Sequence, residues 1–420
     1  MQVNVVVIGA QWGDEGKGKI VDYLADGADI VVRYSGGANA GHTIVNGDRT
    51  YKLHLVPSGI IYPDTTVILG SGMVIDPEAL FYELQELAEM GVSWEGRVLI
   101  SDRAHLVLPS HREEDVSRDA DRTRPIGTTG RGIGIAYAHK ALRDGVRIAD
   151  LQWADHIDEL AAEDRTFLEL HRDRLTDMAV DIASFMNVGS GKPDAAQRVL
   201  IEGAQGALLD LDIGTYPYVS SGSSAAGGAA SGAGIGPRNL DHVLGVFKAY
   251  STRVGNGPFP SEFDSDQNGE LETYIRETGR EYGVTTGRPR RVGYLDLVAL
   301  RYACQTNSID SLALTHLDVY DELDEIRVCV GYETDGDTLD YFPSSIPLLE
   351  AAQPITRRHP GWKSSIADCR SYDDLPESAR SYVAFIEEYL GVPVSIVSVG
   401  YQRHQTIVRS SVWDTSGSQE

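Results

Sequence analysis

Apolar residues along this chain come in two rhythms. Residues 3–9, VNVVVIG, form a run dominated by β-branched residues, the pattern of a strand buried on both faces. A glycine-rich segment follows, Gly13-Asp14-Glu15-Gly16-Lys17-Gly18-Lys19, and residues 20–25 then carry apolar positions at helical spacing. Residues 29–34, DIVVRY, read as a second strand. Strand, glycine loop, helix and strand in that order predict a parallel sheet. Further along, Asp76-Pro77-Glu78 supplies an N-cap acid and a proline at the first helical position, ahead of Leu80, Phe81, Leu84 and Leu87. A helix is predicted there, with Gly91 as its terminating residue. Strands are expected at 199–202, 312–317 and 394–399, and helices at 295–304 and 381–390. The stretch 154–188 is charged and helical. Residues 222–236, GSSAAGGAASGAGIG, lie between Pro217-Tyr218-Val219 and an amphipathic stretch at 240–248. They read either as a flexible linker or, as we favour, as a tight loop where backbone must approach something closely. The expected fold is α/β, a large mostly parallel central sheet flanked by helices. We expect a single α/β catalytic domain over 1–420, with a largely helical excursion at about 76–200 and a surface subdomain at about 261–283.

Composition narrows the class. The chain has 420 residues and no apolar stretch long enough to span a bilayer, so no membrane association is expected. Met1-Gln2-Val3-Asn4 lacks the basic region of a signal peptide. Cys304, Cys329 and Cys369 are odd in number and widely spaced, suggesting reduced thiols and a cytoplasmic protein. With 62 acidic against 37 basic residues the formal charge is −25, which argues against nucleic-acid binding. An anionic ligand must therefore find local positive charge. About 30 of the 37 basic residues are arginine, whose planar fork suits phosphate.

The N-terminal loop is the strongest chemical signal. Residues 13–19 satisfy G-x-x-x-x-G-K after a strand and before a helix. Such a loop aims backbone N–H groups at phosphate, and a lysine reaches its oxygens. Position 20 is Ile, so the usual Mg²⁺-binding hydroxyl is missing. Asp14 and Glu15 inside the loop would repel phosphate unless a carboxylate there binds metal or acts as a general base. A second glycine turn, residues 35–43, follows the second strand and carries His42, which can donate to a transferring phosphoryl group. A third, IGTTGRG at 126–132, is also phosphate-like, and Gly203-Ala204-Gln205-Gly206 suits a purine edge or a ribose. VTTGRPRR at 284–291 packs three arginines and two hydroxyls into a short loop, which implies an anionic ligand. Thr315-His316-Leu317-Asp318 is similar to the [NT]KxD turn of GTP-binding proteins, in which a carboxylate accepts both hydrogens from guanine.

Taken in order, QWGDEGKGKIVD (11–22), GGANAGHT (36–43), IGTTGRGIG (126–134), EGAQGALLD (202–210), GTYPYV (214–219), KAYSTRVGNGPFP (248–260) and VTTGRPRR (284–291) resemble the adenylosuccinate synthetase family. The resemblance runs over nearly the whole chain. It implies GTP-dependent ligation of L-aspartate to IMP, giving adenylosuccinate, GDP and phosphate by way of a 6-phosphoryl-IMP intermediate, a step of purine biosynthesis. Asp14 is implied as the base that takes the N1 proton of IMP, and His42 as its acid partner. GTP contacts are implied at Gly13, Asp14, Glu15, Gly16, Lys17, Gly18 and Lys19, at Gly41, His42 and Thr43, at Arg290, at His316, Leu317 and Asp318, and at Ser398, Val399 and Gly400. IMP contacts are implied at Asp14, Glu15, Gly16, Lys17, Asn39, Ala40, Gly41, His42, Thr129, Gln205, Ser220 and Arg288. Arg143 is implied to reach IMP from the other subunit of a homodimer. Aspartate would meet Val284, Thr285, Thr286, Gly287, Arg288, Pro289 and Arg290. One Mg²⁺ per subunit would be held by Asp14 and the carbonyl of Gly41. The chain departs from the family pattern at His316, where Lys is usual, at Ser220, where Thr is common, and in a shorter stretch at 154–198. A phage-type variant of the family lacks the loop Asp that is present here as Asp14.

The competing expectation is a GTP-regulated switch protein built on the same loop and the turn at 315–318. Ile20, the missing DxxG switch and the additional anion-lined loops speak against it.

Overall fold

The computed structural model describes residues 2–47, 49–123, 125–188, 197–283, 287–334 and 336–414. The opening run is strand β1, Gln2–Gly9, and its side chains alternate between two cores. Val5 and Val7 enter one apolar cluster, and Val6 and Ile8 enter the other, all four with no exposed surface. Burying such a side chain stabilises the fold by roughly 1.5–3 kcal/mol, so a run of this kind sits at the centre of a sheet covered on both faces.

The glycine segment leads into helix α1, Lys17–Ala25, and the chain returns through β2, Ile30–Gly36. A hairpin of β3, His42–Asn46, and β4, Arg49–Leu53, leads on to the long strand β5, Thr66–Ile75. Helix α2, Pro77–Glu89, begins as its sequence predicts: the Asp76 carboxylate accepts the Ala79 N–H at 3.1 Å. Gly91 follows its end with φ of +84°.

Among the described residues the main sheet has eleven strands. Its order runs Thr406–Val408, Val394–Ser398, Ser311–Thr315, His242–Lys248, β1, Gln197–Glu202, β2, β5, Val98–Ser101 and Ala179–Val180, with His105–Leu106 also pairing β5. Every pairing is parallel except that of the terminal edge strand Thr406–Val408. A smaller four-stranded sheet is built on Glu325–Thr334. No helix among the described residues is long and apolar enough to cross a membrane.

The stretch 76–200 carries helices α2, α3 (Pro109–Ala120) and α4 (Ile133–Leu142), and it also contributes three short strands to one side of the sheet. Residues 261–283 hold one helix, Ser265–Thr278, whose Ile275 joins the main core. The stretch at 240–248, read as amphipathic, is the strand His242–Lys248; Val243–Lys248 are buried because it lies between β1 and Ser311–Thr315.

The low-complexity segment is not a loop throughout. It contains a short helix, Gly227–Ala233, packed against β2 and β5. The close approach inferred from its small residues is to strand backbone. A Cβ on Gly232 would lie 2.3 Å from the Tyr34 carbonyl oxygen, and one on Gly70 would lie 2.4 Å from the Gly232 oxygen. Tyr34 fixes the segment by donating its hydroxyl to the Ser224 and Ala225 carbonyls at 3.0 Å.

Candidate functional site

Parallel strands end together, and here six of them release their loops at one rim of the sheet. The loops after β1, β2, Gln197–Glu202, His242–Lys248, Ser311–Thr315 and Val394–Ser398 all line a cavity of about 1080 Å³. The carboxyl rim of an open α/β sheet is where such folds bind ligands, and the volume suits more than one small molecule.

The glycine loop leaves β1 and reaches α1 through Gly16, which caps the helix with φ of +80°. Its two carboxylates take opposite directions. Asp14 adopts φ of +58°, stands exposed on the cavity wall and pairs with the Arg290 Nε at 2.9 Å. Glu15 turns beneath the loop, has no exposed surface and does not line the cavity. It accepts the N–H groups of Gln11 and Gly13 at 3.2 and 2.8 Å and the Lys17 ammonium at 2.6 Å. Glycines make its space: a Cβ on Gly9 would lie 2.3 Å from its carboxylate. The repulsion expected of Glu15 toward phosphate is thus replaced by an internal brace that holds the loop and aims Lys17.

His42 begins β3 and is buried on the cavity wall. Its Nδ1 makes a short contact with the Glu202 carboxylate. Glu202 also accepts the Ser58 N–H at 2.8 Å and hydroxyl at 3.0 Å. Burial alone would raise this carboxyl, but His42, the Ser58 N–H and Arg33 outweigh it and hold it below the usual range. A carboxylate on Nδ1 fixes the ring orientation and leaves Nε2 for the cavity.

A second buried network stands behind Asp14. Glu281, without exposed surface, accepts the Lys248 ammonium at 2.6 Å, the Tyr250 hydroxyl at 2.6 Å and the Arg290 guanidinium at 2.7 Å. Burial opposes its charge, yet Lys248, His316 and Arg290 hold the carboxyl down at about 2. His316 stands where sequence reading expects a lysine. Burial first, then Lys248, push its imidazole down to about 4, so it is neutral at pH 7. Asp318 lies at the same end of the cavity, its carboxyl raised by burial and opposed by Lys19.

The structure brings together most of the residues singled out in the sequence. Asn39, Ala40, Gly41, Thr43, Thr129, Gln205 and Ser220 line the cavity with Asp14, Lys17 and His42, and Ser398 and Gly400 line it beside Asp318. Gln205 takes φ of +56° and its amide lies 3.4 Å from the Asn39 side-chain oxygen. Leu317 and Val399 are buried behind the wall. Gly287, Arg288 and Pro289 are exposed and outside the lining, whereas Arg290 is on it. Val284, Thr285 and Thr286 lie outside the described residues. Arg143 sits at the C-terminal cap of α4, exposed and away from this cavity. In the turn at 126–132, Asp119 accepts the N–H groups of Ile126, Gly127 and Thr128 at 2.9–3.2 Å. Those amides are therefore committed within the protein.

Sequence reasoning missed Glu202, Glu281, Lys248 and Asp119. Glu202 stood inside a quoted motif, immediately before a glycine turn at a strand end, which is a usable signal. Lys248 likewise opened a quoted motif, 248–260, whereas Glu281 and Asp119 carried no such signal.

No group of three or more metal-ligating side chains occurs among the described residues. A Mg²⁺ ion bound with nucleotide needs fewer, because phosphates and water complete its shell. The exposed Asp14 carboxylate and the Gly41 backbone on the same wall suit that limited role.

Comparison with known proteins agrees with this geometry. The adenylosuccinate synthetase family model matches residues 6–407. The adenylosuccinate synthetase of Thermosynechococcus vestitus is 49% identical over 96% of this chain and 94% of its own length. That of Synechococcus sp. strain RCC307 is 50% identical over 96% of each. Among solved structures, fully ligated adenylosuccinate synthetase from Plasmodium falciparum superposes with a TM-score of 0.88 at 39% identity, over 97% of this chain and 99% of that one. A cyanophage S-2L succinoaminodeoxyadenylate synthetase shares the fold, with a TM-score of 0.62 at 19% identity over 99% of this chain and 98% of that one.

Proposed function

The chain belongs to the adenylosuccinate synthetase family, and from that premise we propose how its cavity performs the ligation of L-aspartate to IMP with GTP. The products are adenylosuccinate, GDP and phosphate. The observation that carries the reading is the pairing of functions on one wall: a carboxylate inside a phosphate loop, Asp14, and a carboxylate-held imidazole, His42.

Asp14 takes the proton from N1 of IMP, and O6, now nucleophilic, attacks the γ-phosphorus as the bond to GDP breaks. The amine of aspartate then displaces the 6-phosphoryl group from C6, and phosphate leaves. Phosphoryl transfer asks mainly for positioning and charge neutralisation. Arg290 keeps Asp14 from swinging into solvent, and Glu15 keeps Lys17 at the loop. His42, oriented by Glu202, donates from Nε2 toward the developing charge. Asp318 accepts the guanine N1 and N2 hydrogens. Asn39, Thr129, Gln205 and Ser220 hold IMP, and the 284–290 loop receives the aspartate carboxylates, with Arg288 and Arg290 as its cations. Asp14 and the Gly41 carbonyl would hold Mg²⁺, which supplies charge neutralisation for the phosphates.

We further infer a cytoplasmic homodimer in which Arg143 of one subunit completes the IMP site of the other. Its exposed place at the end of α4, away from its own cavity, supports that arrangement. We read the chain as one catalytic domain. The testing measurement is phosphate release from GTP. It should require IMP and aspartate together; equal turnover without them would identify a GTP-hydrolysing switch instead.

A further inference from the structure

In the register of the glycine motif, Lys19 is the lysine that should reach phosphate. Its ammonium lies elsewhere. Nζ donates to Ser398 Oγ at 2.7 Å, to the Gly400 carbonyl at 2.6 Å and to the Gln405 carbonyl at 2.9 Å. An ammonium has three protons to give, and these three acceptors, all on one loop, use them. None is left for a phosphate oxygen while the loop holds this shape.

The loop that receives Lys19 is folded tightly around it. The Val399 N–H reaches the Gln405 carbonyl at 3.0 Å, and the Ser398 hydroxyl reaches the Gly400 carbonyl at 3.0 Å. The Gln405 side chain accepts the Gln402 N–H at 3.0 Å and donates to the Ala367 carbonyl at 3.2 Å. It packs so close under Gly400 that a Cβ there would lie 2.3 Å from it. Ser398 and Gly400 line the cavity beside Asp318, at the end opposite in role to the phosphate loop. Lys19 stands in the first turn of α1, directly after that loop. One side chain therefore spans from the phosphate-holding segment to the wall that faces the base.

We propose that Lys19 is a positioning residue for the guanine end of the nucleotide, fixing the 398–405 loop against the phosphate loop, and not a phosphate ligand. The proposal rests on the reading of the cavity as a GTP site. Of the glycine loop's two lysines, Lys17, aimed by Glu15, is the one left for phosphate. A wall released from Lys19 would drift, and the base could slide off Asp318. Binding and discrimination should suffer while the chemical step survives.

The test compares wild type with Lys19→Met and, from the loop side, Ser398→Ala. For Lys19→Met the KM for GTP should rise about 10- to 100-fold, while kcat at saturating GTP falls less than about threefold. The preference for GTP over inosine triphosphate, which lacks the 2-amino group, should narrow by about fivefold or more. Ser398→Ala should move the same ratio in the same direction, and the double variant should be no worse than Lys19→Met alone. A collapse of kcat with unchanged KM for GTP would make Lys19 a phosphate ligand and overturn the proposal, as would an unchanged GTP preference. Calorimetric binding of GDP and inosine diphosphate gives the same ratio without turnover. If Lys19→Met does not fold, Ser398→Ala decides by that ratio. Wild type that binds GDP but releases no phosphate with IMP and aspartate would fail the ligase reading alone, leaving the ratio to judge Lys19.

Discussion

Glu202 and His42 are 160 positions apart in sequence and in contact in the structure. Their pairing gives the imidazole a fixed direction, so the pair is best probed by a change that keeps shape and removes charge. Glu202→Gln should lower kcat by about 10²-fold or more, on the scale of a disturbed acid–base group, with KM for IMP and GTP nearly unchanged. It should also lower Tm, because Arg33, 1% exposed, loses one of the two carboxylates nearest it, Glu83 being the other. Unchanged kcat would show that His42 needs no such partner. At this scale the sequence was legible where a residue type broke a known pattern. Asp14 inside a phosphate loop and His42 at the end of a glycine-rich turn both announce chemistry. Glu15 was not legible, since a carboxylate facing ligand and one turned under its own loop have the same spelling. The difference lies in Gly9, just before the loop, and in Gly206, distant in sequence, which leave it room.

Elements with a one-dimensional signature were read well. The β-branched run of β1 and the Asp76-Pro77 start of α2 need only local rules. The helix Leu297–Asn307 was foreseen within a few residues, but its cap was not. Asp296 accepts the Ala299 N–H at 3.0 Å and the Tyr332 hydroxyl at 2.8 and 2.9 Å, and it is wholly buried. Burial lifts its carboxyl from 3.8 to about 6, against the lowering effect of those donors. The unfolded chain ionises near 3.8 and the folded one near 6, so between them the folded state holds more protons. This group's contribution is full at low pH and is lost as pH rises from about 4 to about 6, by of order 3 kcal/mol. Asp296→Asn, neutral throughout, should remove that slope. Its stability relative to wild type, measured by urea unfolding, should improve across the same window; a constant gap would contradict the assignment. The 222–236 segment resisted reading for another reason. Small residues signal close packing without naming the partner, and the partner proved to be the backbone of β2 and β5.

At the scale of the molecule, the parallel sheet was foreseeable from one strand–loop–helix–strand passage, whereas the order of its strands was not. That order depends on which buried faces meet, and no local pattern encodes it. Beyond the single chain, the place of Arg143 makes a mixing experiment informative. Arg143→Leu should raise the apparent KM for IMP, and mixing it with Asp14→Ala protein should restore part of the activity, since some sites would then contain both intact residues. Failure to restore would argue that each subunit works alone. One last consequence belongs to the common rim where the strands terminate. Its lining is drawn from positions as early as 12 and as late as 401, so a break between them parts reactive groups into different pieces. Halves of such a polypeptide would be inert apart and would regain turnover only by re-forming the whole sheet. A split version would thus serve as a reporter of its own assembly.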